Sequence, residues 1–243
     1  MRRHRFGELR GTAGIEIEDG YGDDNEIVTD APLADLPRLR FRRHGPMARE
    51  VTGGRFEIHA TARGGVQIFA AQPKPRVVIG PGTRLNADLR LWRDASVSIG
   101  ANTTVNQARM VADNSDIVIG PDCMFSDDIL VQSADQHGLI DLGTLEFTNS
   151  HRRRIAIGEH VWVGRRSIVM PDVEIGAGSV VGTGSIVTKD APACCYLVGV
   201  PARPVREGAS WTRLPRKASE RESAFFERMR APGGPLGAGG GAA

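Results

Sequence analysis

The chain has 243 residues, of which 40% are hydrophobic, so its length and composition allow one sizeable buried core with extensions. The formal net charge of +2 is too balanced to predict a nucleic-acid surface. The 3 cysteines form neither the even set of a disulfide framework nor a zinc motif, and we therefore expect no metal.

Targeting signals are absent from the sequence pattern. The first residues carry arginines without an apolar segment behind them, which argues against a signal peptide. No stretch reaches the roughly 18 apolar residues of a membrane-spanning helix. We expect a cytoplasmic protein without a transmembrane segment.

The amino-terminal part of the chain shows no clear period. We predict that residues 1–50 form an irregular N-terminal extension. Residues 55–69 follow as the irregular first strands of a domain that is expected to span residues 51–207.

Aliphatic residues recur at every sixth position between residues 77 and 192. This period belongs neither to a simple strand nor to an α-helix, and it predicts a β-helix built of hexapeptide units. Upstream of residue 135 the series slips twice by two residues and comprises Ile79, Leu85, Leu91, Val97, Ile99, Val105, Val111, Ile117, Ile119, Phe125 and Val131. Downstream it comprises Ile157, Val163, Val169, Ile175, Val181 and Val187.

Each hexapeptide is expected to form one short strand and one corner, so that three units close a triangular coil. Successive coils stack at about 4.8 Å through backbone hydrogen bonds. Glycines follow several aliphatic positions, and we expect them at corners that need a positive φ. These are Gly158, Gly164, Gly176 and Gly182. Inward positions four residues after the aliphatic ones carry small side chains, as at Ser167 and Ser179.

One insertion interrupts the repeat. The gap from Val131 to Ile157 is 26 residues, which is four hexapeptides plus two residues, so an inserted loop lies between Ser133 and Arg154.

The carboxyl-terminal part leaves the repeat. We predict a segment over residues 208–230 with a short amphipathic α-helix, because Phe225, Phe226 and Met229 have helical spacing. The Gly- and Ala-rich residues 231–243 are expected to be disordered. The sequence thus predicts an all-β fold with an inserted loop and a short C-terminal helix.

Two neighbouring motifs carry a family resemblance. The segment "IGEHVWVGRRSIVMPDVEIGAGSVVGTGSIVTKD" and the following "YLVGVPARPVRE" resemble the C-terminal half of the hexapeptide-repeat acyltransferases. The motifs are most similar to sugar O-acetyltransferases, including the maltose, galactoside and polysaccharide enzymes. The resemblance covers about residues 77–207 and is specific over 155–207. It implies a left-handed parallel β-helix, a homotrimer, acetyl-CoA as the donor and a sugar hydroxyl as the acceptor.

The resemblance places a catalytic histidine in the inserted loop. The matching residue is His137, with Asp135 two positions before it, although Gly138 stands where the family commonly has proline. A neutral imidazole can take the proton of a hydroxyl as it attacks a thioester, because its ordinary pKa lies near working pH. Asp135 either orients His137 or binds the acceptor, and His151 is a further candidate contact. His160 is expected on the surface.

The remaining site residues also follow from the resemblance. Asn106 matches an asparagine that binds the acceptor sugar, since an amide can donate to and accept from one hydroxyl. The donor would lie along a groove whose matching positions are Trp162, Gly164, Arg165, Thr183, Lys189 and Arg206. Lys189 and Arg206 match basic residues near the CoA phosphates, whereas the family usually has a small residue in place of Arg165.

Three alternatives stay open. An N-acetyltransferase of an amino-sugar nucleotide or another amine would use the same base and donor. A non-catalytic β-helix scaffold for polysaccharide assembly would bind no acetyl-CoA. A carbonic anhydrase of the γ type needs three histidines on zinc with two closely spaced, and His137, His151 and His160 lack such a pair.

Overall fold

The computed structural model describes residues 1–43, 49–135 and 137–236, and within them the chain forms a left-handed parallel β-helix. Its N-terminal strands are β1 (Arg2–Arg5), β2 (Ile15–Ile17), β3 (Glu26–Thr29), β4 (Arg38–Arg43), β5 (Arg55–Ile58), β6 (Arg63–Ala70), β7 (Arg76–Ile79), β8 (Arg84–Leu91), β9 (Ser96–Ile99), β10 (Thr104–Ala112) and β11 (Ser115–Ile119). The others are β12 (Met124–Phe125), β13 (Ile129–Gln132), β14 (Arg153–Ile157), β15 (Trp162–Val163), β16 (Ile168–Val169), β17 (Glu174–Ile175), β18 (Val180–Val181), β19 (Ile186–Val187), β20 (Tyr196–Gly199) and β21 (Ala202–Arg206). The helices are α1 (Phe6–Leu9) and α2 (Glu220–Arg230), with a 3-10 turn at Leu33–Asp35.

The described strands belong to two sheets that wrap around the prism. An 8-stranded sheet of β1, β3, β5, β7, β9, β11, β14 and β17 is the first face. A 13-stranded sheet covers the second and third faces, because long strands such as β8 and β10 continue through the corner between them. Among the described strands, all pairings are parallel except β1 with β3 and β20 with β21.

Identical residues stack from coil to coil inside the prism. On the first face the register aligns one isoleucine above another, each of them buried, in the order Ile79, Ile99, Ile119, Ile157 and Ile175. Ser167, Ser179 and Ser185 are buried at narrow inward positions, where their hydroxyls bond backbone or sulfur atoms. The six-residue period therefore predicts this core correctly.

Residues 1–43 belong to the β-helix, which corrects the expectation of an irregular N-terminal extension. Strand β2 pairs in parallel with β4, β3 with β5, and β4 with β6. The short helix α1 covers the end of the prism, where Phe6 contacts Phe41 with ring centroids 4.6 Å apart. Part of the expected extension, residues 44–48, lies outside the described residues.

The corner glycines are needed for a different reason from the expected positive φ, namely the close approach of the next coil. Gly158, Gly164, Gly176 and Gly182 do not have positive φ; a Cβ at Gly158, for example, would lie 2.6 Å from the backbone nitrogen of Ala177 in the next coil. Positive φ occurs two residues later along the chain, where the repeat carries Asn102, Asp122, His160, Gly178, Asp128, Arg166 and Gly184. Asparagine, aspartate and glycine tolerate this conformation, which explains their recurrence there.

A β-bulge in β10 changes the inward phase. Val105 pairs with Leu85 and Ala108 with Ala87, so Asn106 and Gln107 both lie opposite Asn86. Beyond the bulge Met110 aligns with the inward Val131, and Val111 aligns with Gln132. The prediction that Val111 points inward is therefore wrong, although this side chain is buried.

Three corners run along the prism, and they position the side chains discussed below. The first corner follows the first-face strands and contains Asn102, Asp122, His160, Gly178 and Cys194. The second corner contains the bulge of β10, Ser126–Asp128, Gly164–Arg166 and Gly182–Gly184, which hydrogen-bond from one coil to the next. The third corner precedes the first-face strands, and the insertion leaves it between β13 and β14.

The C-terminal segment folds back along the first corner. Ala209 N donates to the Cys194 carbonyl, and Ser210 Oγ donates to the Gly178 carbonyl. Trp211 Nε1 donates to the His160 carbonyl. The Arg213 guanidinium donates to the Asp122 carboxylate and to the Asn102 carbonyl. Helix α2 then packs Phe225 and Met229 against Cys194, as the helical spacing predicts. Leu236 packs on the same cluster, while residues 237–243 of the expected disordered tail lie outside the described residues.

Hydropathy gives no candidate membrane span: across the described ranges, no helix combines the length and apolar character that crossing a bilayer requires.

Candidate active site

A cavity of about 600 Å³ opens where the insertion leaves the third corner. Its wall includes the two predicted catalytic residues, His137 and Asp135, together with His151. Trp92, Arg93, Asp113, Asn149 and Arg153 also line it, and none of them was singled out from the sequence. These residues come from several coils that stack along one corner. The six-residue repeat in the linear sequence does not show that they lie close together.

An ion-pair network forms one wall of this cavity. Arg153 lies 3.2 Å from the carboxylate of Asp135 and 3.1 Å from that of Asp172. The Nε2 atom of His151 is 3.1 Å from the same Asp172 oxygen. Only 15% of the Arg153 side chain is exposed, so this guanidinium fixes two carboxylates from neighbouring coils.

Asp135 is linked to the His137 backbone through Asn149, and among the described residues it makes no hydrogen bond to the His137 imidazole. The Asn149 amide donates to Asp135 at 3.1 Å and to the His137 carbonyl at 2.8 Å. The amide also accepts from the Leu139 nitrogen, at 2.9 Å. Asn149 thus holds the insertion around His137, whose side chain is exposed and makes no hydrogen bond to other described residues.

The opposite wall contains a second ion pair. Arg93 Nε and Nη2 donate to the two oxygens of Asp113 at 2.9 and 3.0 Å, which is a bidentate contact. The buried Asp113 carboxylate raises the pKa of Arg93 through these hydrogen bonds and its charge. The cavity therefore presents fixed charges, the aromatic side chain of Trp92 and an imidazole that has no hydrogen-bond partner among the described residues.

The second corner gathers most of the remaining predicted residues. Trp162 in β15 donates from Nε1 to Ser126 Oγ at 3.3 Å, and Gly164 N bonds Val181 O at 2.8 Å. Arg165 O accepts from Gly184 N at 2.8 Å, which places Arg165 beside the exposed Thr183 of the next coil. Asn106 is exposed in the bulge of the same corner and does not line the cavity around His137.

The charged side chain of Arg165 points toward a neighbouring acid. Its Nε lies 2.8 Å from Asp127, and this hydrogen bond lowers the pKa of the Asp127 carboxyl. The large side chain at this position therefore has a partner, while its backbone nitrogen remains part of the corner.

The two predicted phosphate contacts lie apart. Lys189 is exposed at the third corner, two coils beyond the insertion. Arg206 is in β21, where its guanidinium carbon is 5.9 Å from the ring centre of Tyr196. One chain therefore distributes its predicted site residues over two corners instead of one pocket.

His160 is fully buried, which corrects its expected surface position. Its ring stacks on Trp211 with centroids 4.4 Å apart, Nδ1 is 2.8 Å from Asp122, and Nε2 is 3.0 Å from the Trp211 carbonyl. Trp211 in turn lies 6.0 Å from Trp162. The partner is 51 residues away, so the sequence offered no local signal for this contact.

The remaining candidate groups are the cysteine thiols and possible metal ligands. Burial raises the pKa of the Cys123 thiol to about 12, because this side chain lies in the core. Within the part of the chain that the structure describes, no three His, Cys, Asp or Glu residues are grouped to hold a metal ion.

The fold and repeat define a class of protein. Residues 154–189 match the family model of the bacterial transferase hexapeptide with six repeats. This segment contains strands β15 to β19 of the β-helix.

The sequence relatives include O-acetyltransferases and an acyltransferase. Polysialic acid O-acetyltransferase of Escherichia coli O1:K1 is 35% identical over 138 residues, which are 56% of this chain and 45% of the relative. Galactoside O-acetyltransferase of Escherichia coli K12 is 32% identical over 46% of this chain and 55% of the relative. The Escherichia coli dTDP-4-amino-4,6-dideoxy-D-glucose acyltransferase is 40% identical over 80 residues, 33% of this chain and 38% of the relative. The chain thus spans about half the length of the curated relatives it matches, or less.

Solved structures share the fold over most of the chain. The polySia-specific acetyltransferase NeuO superposes with a TM-score of 0.70 and 24% identity, covering 87% of this chain and 100% of that one. The polysialic acid O-acetyltransferase OatWY superposes with a TM-score of 0.59 and 20% identity, covering 88% of this chain and 93% of that one.

Proposed function

We propose that the protein is an acetyl-CoA-dependent O-acetyltransferase that modifies a hydroxyl group of a sugar or polysaccharide. The single observation that carries this proposal is the free imidazole of His137 in a polar cavity at the insertion of a hexapeptide β-helix. The sugar O-acetyltransferases among the sequence relatives support the reaction class.

The proposed chemistry transfers an acetyl group from sulfur to oxygen. His137 accepts the proton of the acceptor hydroxyl while its oxygen attacks the thioester carbonyl. The tetrahedral intermediate then collapses, the C–S bond breaks, and the imidazolium returns the proton to the CoA thiolate. Asp135 and Arg153 serve the step by fixing the loop through Asn149, since neither contacts the imidazole.

Acceptor and donor would meet between two copies of the chain. We propose a homotrimer in which the third corner of one subunit, with His137 and Lys189, faces the second corner of the next. That second corner contributes Asn106, Trp162, Gly164, Arg165 and Thr183, with Arg206 nearby. A ring of three such heterologous contacts closes by rotation.

Exposed apolar side chains on the insertion support this assembly. Leu142 is 84% exposed, and Leu139, Ile140, Leu145 and Phe147 are also uncovered in the single chain. Contiguous apolar surface of this kind marks an interaction site.

The decisive experiment measures released thiol. Purified protein is incubated with acetyl-CoA and, separately, with sialic acid polymer, galactosides, nucleotide sugars and amino sugars. We expect thiol release and an O-acetyl ester with a sugar hydroxyl. Transfer only to amines would instead support N-acylation, which the similarity to the dTDP-amino-sugar acyltransferase favours as the second candidate. Absence of CoA binding would favour a scaffold.

A further inference from the structure

A short strap of the C-terminal segment, residues 208–213, lies along the first corner beside the tryptophan of the proposed donor groove. The Ser210 carbonyl of this strap accepts from the Tyr196 hydroxyl at 2.6 Å, and the Arg213 guanidinium donates to the Cys123 carbonyl at 3.0 Å. The strap therefore spans the four coils that contain β12, β15, β18 and β20. It lies outside the hexapeptide repeat, yet it is bound to the repeat along its whole length.

The indole of Trp211 in this strap contacts two rings of the β15 coil. It is 6% exposed and stacks on His160 with centroids 4.4 Å apart and ring planes 7° apart. Its centroid is also 6.0 Å from that of Trp162, with the two planes inclined by 47°. Aromatic pairs at such separations attract each other beyond the effect of the area that they bury. Trp211 thus links the first corner to the Trp162 ring.

Trp211 is held more firmly than Trp162. Its Nε1 donates to the His160 carbonyl at 2.9 Å, its own carbonyl is 3.0 Å from His160 Nε2, and the Arg213 guanidinium carbon is 5.5 Å from its ring centre. Trp162 is only half-buried, and its Nε1 donates to Ser126 Oγ at 3.3 Å, which is long for such a bond. Of the two indoles, Trp211 is therefore the fixed support and Trp162 the supported ring.

Space beside the two indoles makes this support necessary. A cavity of about 510 Å³ is lined by both Trp162 and Trp211, together with Tyr196, Phe226 and Met229. Without the Trp211 ring this space would be larger on the side of Trp162. The Trp162 ring would then have room to adopt other rotamers, in which it turns away from the donor groove.

We propose that Trp211 is a positioning residue for acetyl transfer, because it fixes the Trp162 indole at the edge of the donor groove. A ring that is already immobile loses less conformational entropy when CoA binds against it. Trp211 itself touches neither donor nor acceptor and acts through Trp162. This inference rests on the proposed function and goes beyond it, since it gives the segment after the hexapeptide repeat a part in donor binding.

The test is a double-mutant cycle on CoA affinity, measured by isothermal titration without an acceptor. Trp211→Leu should weaken CoA binding roughly three- to tenfold, the range expected for one aromatic contact and the side-chain order that it provides. Trp211→Phe keeps an aromatic ring in this place and should retain most of the parent's affinity. In the Trp162→Ala background, Trp211→Leu should cause no further loss, because the ring that it positions is absent.

Phe225→Leu is the matched control. Phe225 contacts the same His160 ring, with centroids 4.7 Å apart, but lies outside the set of described residues that line the cavity. This variant loosens the packing of the C-terminal segment without removing the support of Trp162, so its CoA affinity should equal that of the parent.

Three results would overturn the positioning role. These are parent-like CoA binding by Trp211→Leu, an equal loss of affinity in Phe225→Leu, and an equal effect of Trp211→Leu with and without the Trp162 ring. A parent protein that binds no CoA would reject the proposed function itself. Acetyl transfer by the parent, together with unchanged CoA affinity in Trp211→Leu, would reject the positioning role and keep the proposed function.

Discussion

The imidazole of His137 differs from those of His59, His151 and His160 in having no hydrogen-bond partner among the described residues. His151 is bound to Asp172, His160 to Asp122 and His59 to Asp30. The proposed mechanism requires a base with a free lone pair, and we assign that role to His137 because it lies at the rim of the cavity. The alternative base is His151, whose carboxylate partner would orient its ring.

We predict that His137→Ala lowers kcat/KM for the acceptor by roughly 10²–10⁴-fold, the usual span for loss of a general base. The affinity for CoA should hardly change, because the imidazole does not bind the donor in this mechanism. The limb of the pH–rate profile that reports the base should disappear in the variant. Steady-state kinetics and titration with CoA check these outcomes.

Asp172→Asn and His151→Ala serve as comparison variants. Each removes one member of the ion-pair network but leaves His137 in place, so most activity should remain. If His151→Ala abolished turnover while His137→Ala did not, the base would be His151 and the assignment from family resemblance would be wrong.

The buried contact between His160 and Asp122 explains how the C-terminal segment is held. Both ring nitrogens face acceptors, the Asp122 carboxylate at 2.8 Å and the Trp211 carbonyl at 3.0 Å. Burial alone would raise the pKa of Asp122, but the His160 hydrogen bond and the Arg213 charge outweigh it and lower that pKa. Ionised Asp122 is therefore part of the folded structure.

We predict that His160→Leu lowers the free energy of unfolding by about 3–5 kcal/mol, because it leaves a buried carboxylate without one of its partners.

Since folding lowers the pKa of Asp122, the contribution of this carboxylate to the free energy of unfolding is present above the ordinary value of 3.8. That contribution is lost as pH falls through the folded value. Urea unfolding at successively lower pH should therefore show a smaller acid loss for Asp122→Asn than for the parent. An equal acid loss in both proteins would contradict this.

At the scale of the elements, several corner glycines lie very close to the backbone of the next coil. At Gly120 a Cβ would lie 2.6 Å from the Glu159 nitrogen and 2.7 Å from the Gly158 carbonyl oxygen of the next coil. At Gly65 in β6, by contrast, the nearest atom would be 4.0 Å away. The same substitution therefore has different consequences at the two positions.

We predict that Gly120→Ala destabilises the protein by about 1–3 kcal/mol, since backbone atoms of two coils must separate. Gly65→Ala is the matched control and should change stability little. Thermal unfolding of both variants measures the difference. Equal melting temperatures would show that close approach does not explain the corner glycines.

The elements also show what the sequence can and cannot predict. The six-residue period predicts the strands from Ile79 to Val187, because each inward position meets the same geometric demand. It does not reveal the bulge at Asn106, since a local insertion of one residue looks like a slip in phase. It also misses the burial of His160, because the covering Trp211 comes from outside the repeat.

The first coils of the β-helix are a further part of the fold that the six-residue period does not predict. Residues 1–43 lack regular hexapeptides, yet Tyr21 and Phe41 fill the prism there, and Phe41 contacts Phe56 of the next coil. Aromatic side chains replace the aliphatic ones and loops of unequal length replace the corners, so the period is lost while the sheet pairing persists.

At the scale of the whole molecule, the candidate residues of one chain lie at two separate corners. A complete site in the proposed mechanism therefore requires two neighbouring subunits. His137 lies on the third corner, whereas Trp162 and Arg165 lie on the second. If neighbouring subunits join these corners, light scattering of the parent should give the mass of a trimer. Leu142→Asp places a charge on the exposed apolar loop and should shift the population toward smaller species. A monomeric parent would contradict the assembly.

A mixing experiment tests whether each site is shared between subunits. His137→Ala and Trp162→Ala should each be nearly inactive alone, because each removes one side of every site. When the two variants are coexpressed, a subunit with intact His137 can face a neighbour with intact Trp162. Random assortment in a closed ring would restore about one quarter of the sites. Recovery of activity on coexpression, but not on mixing the separately purified trimers, is the expected result. If His137 and Trp162 instead act within one chain, no combination of these subunits contains a complete site, and coexpression would restore nothing.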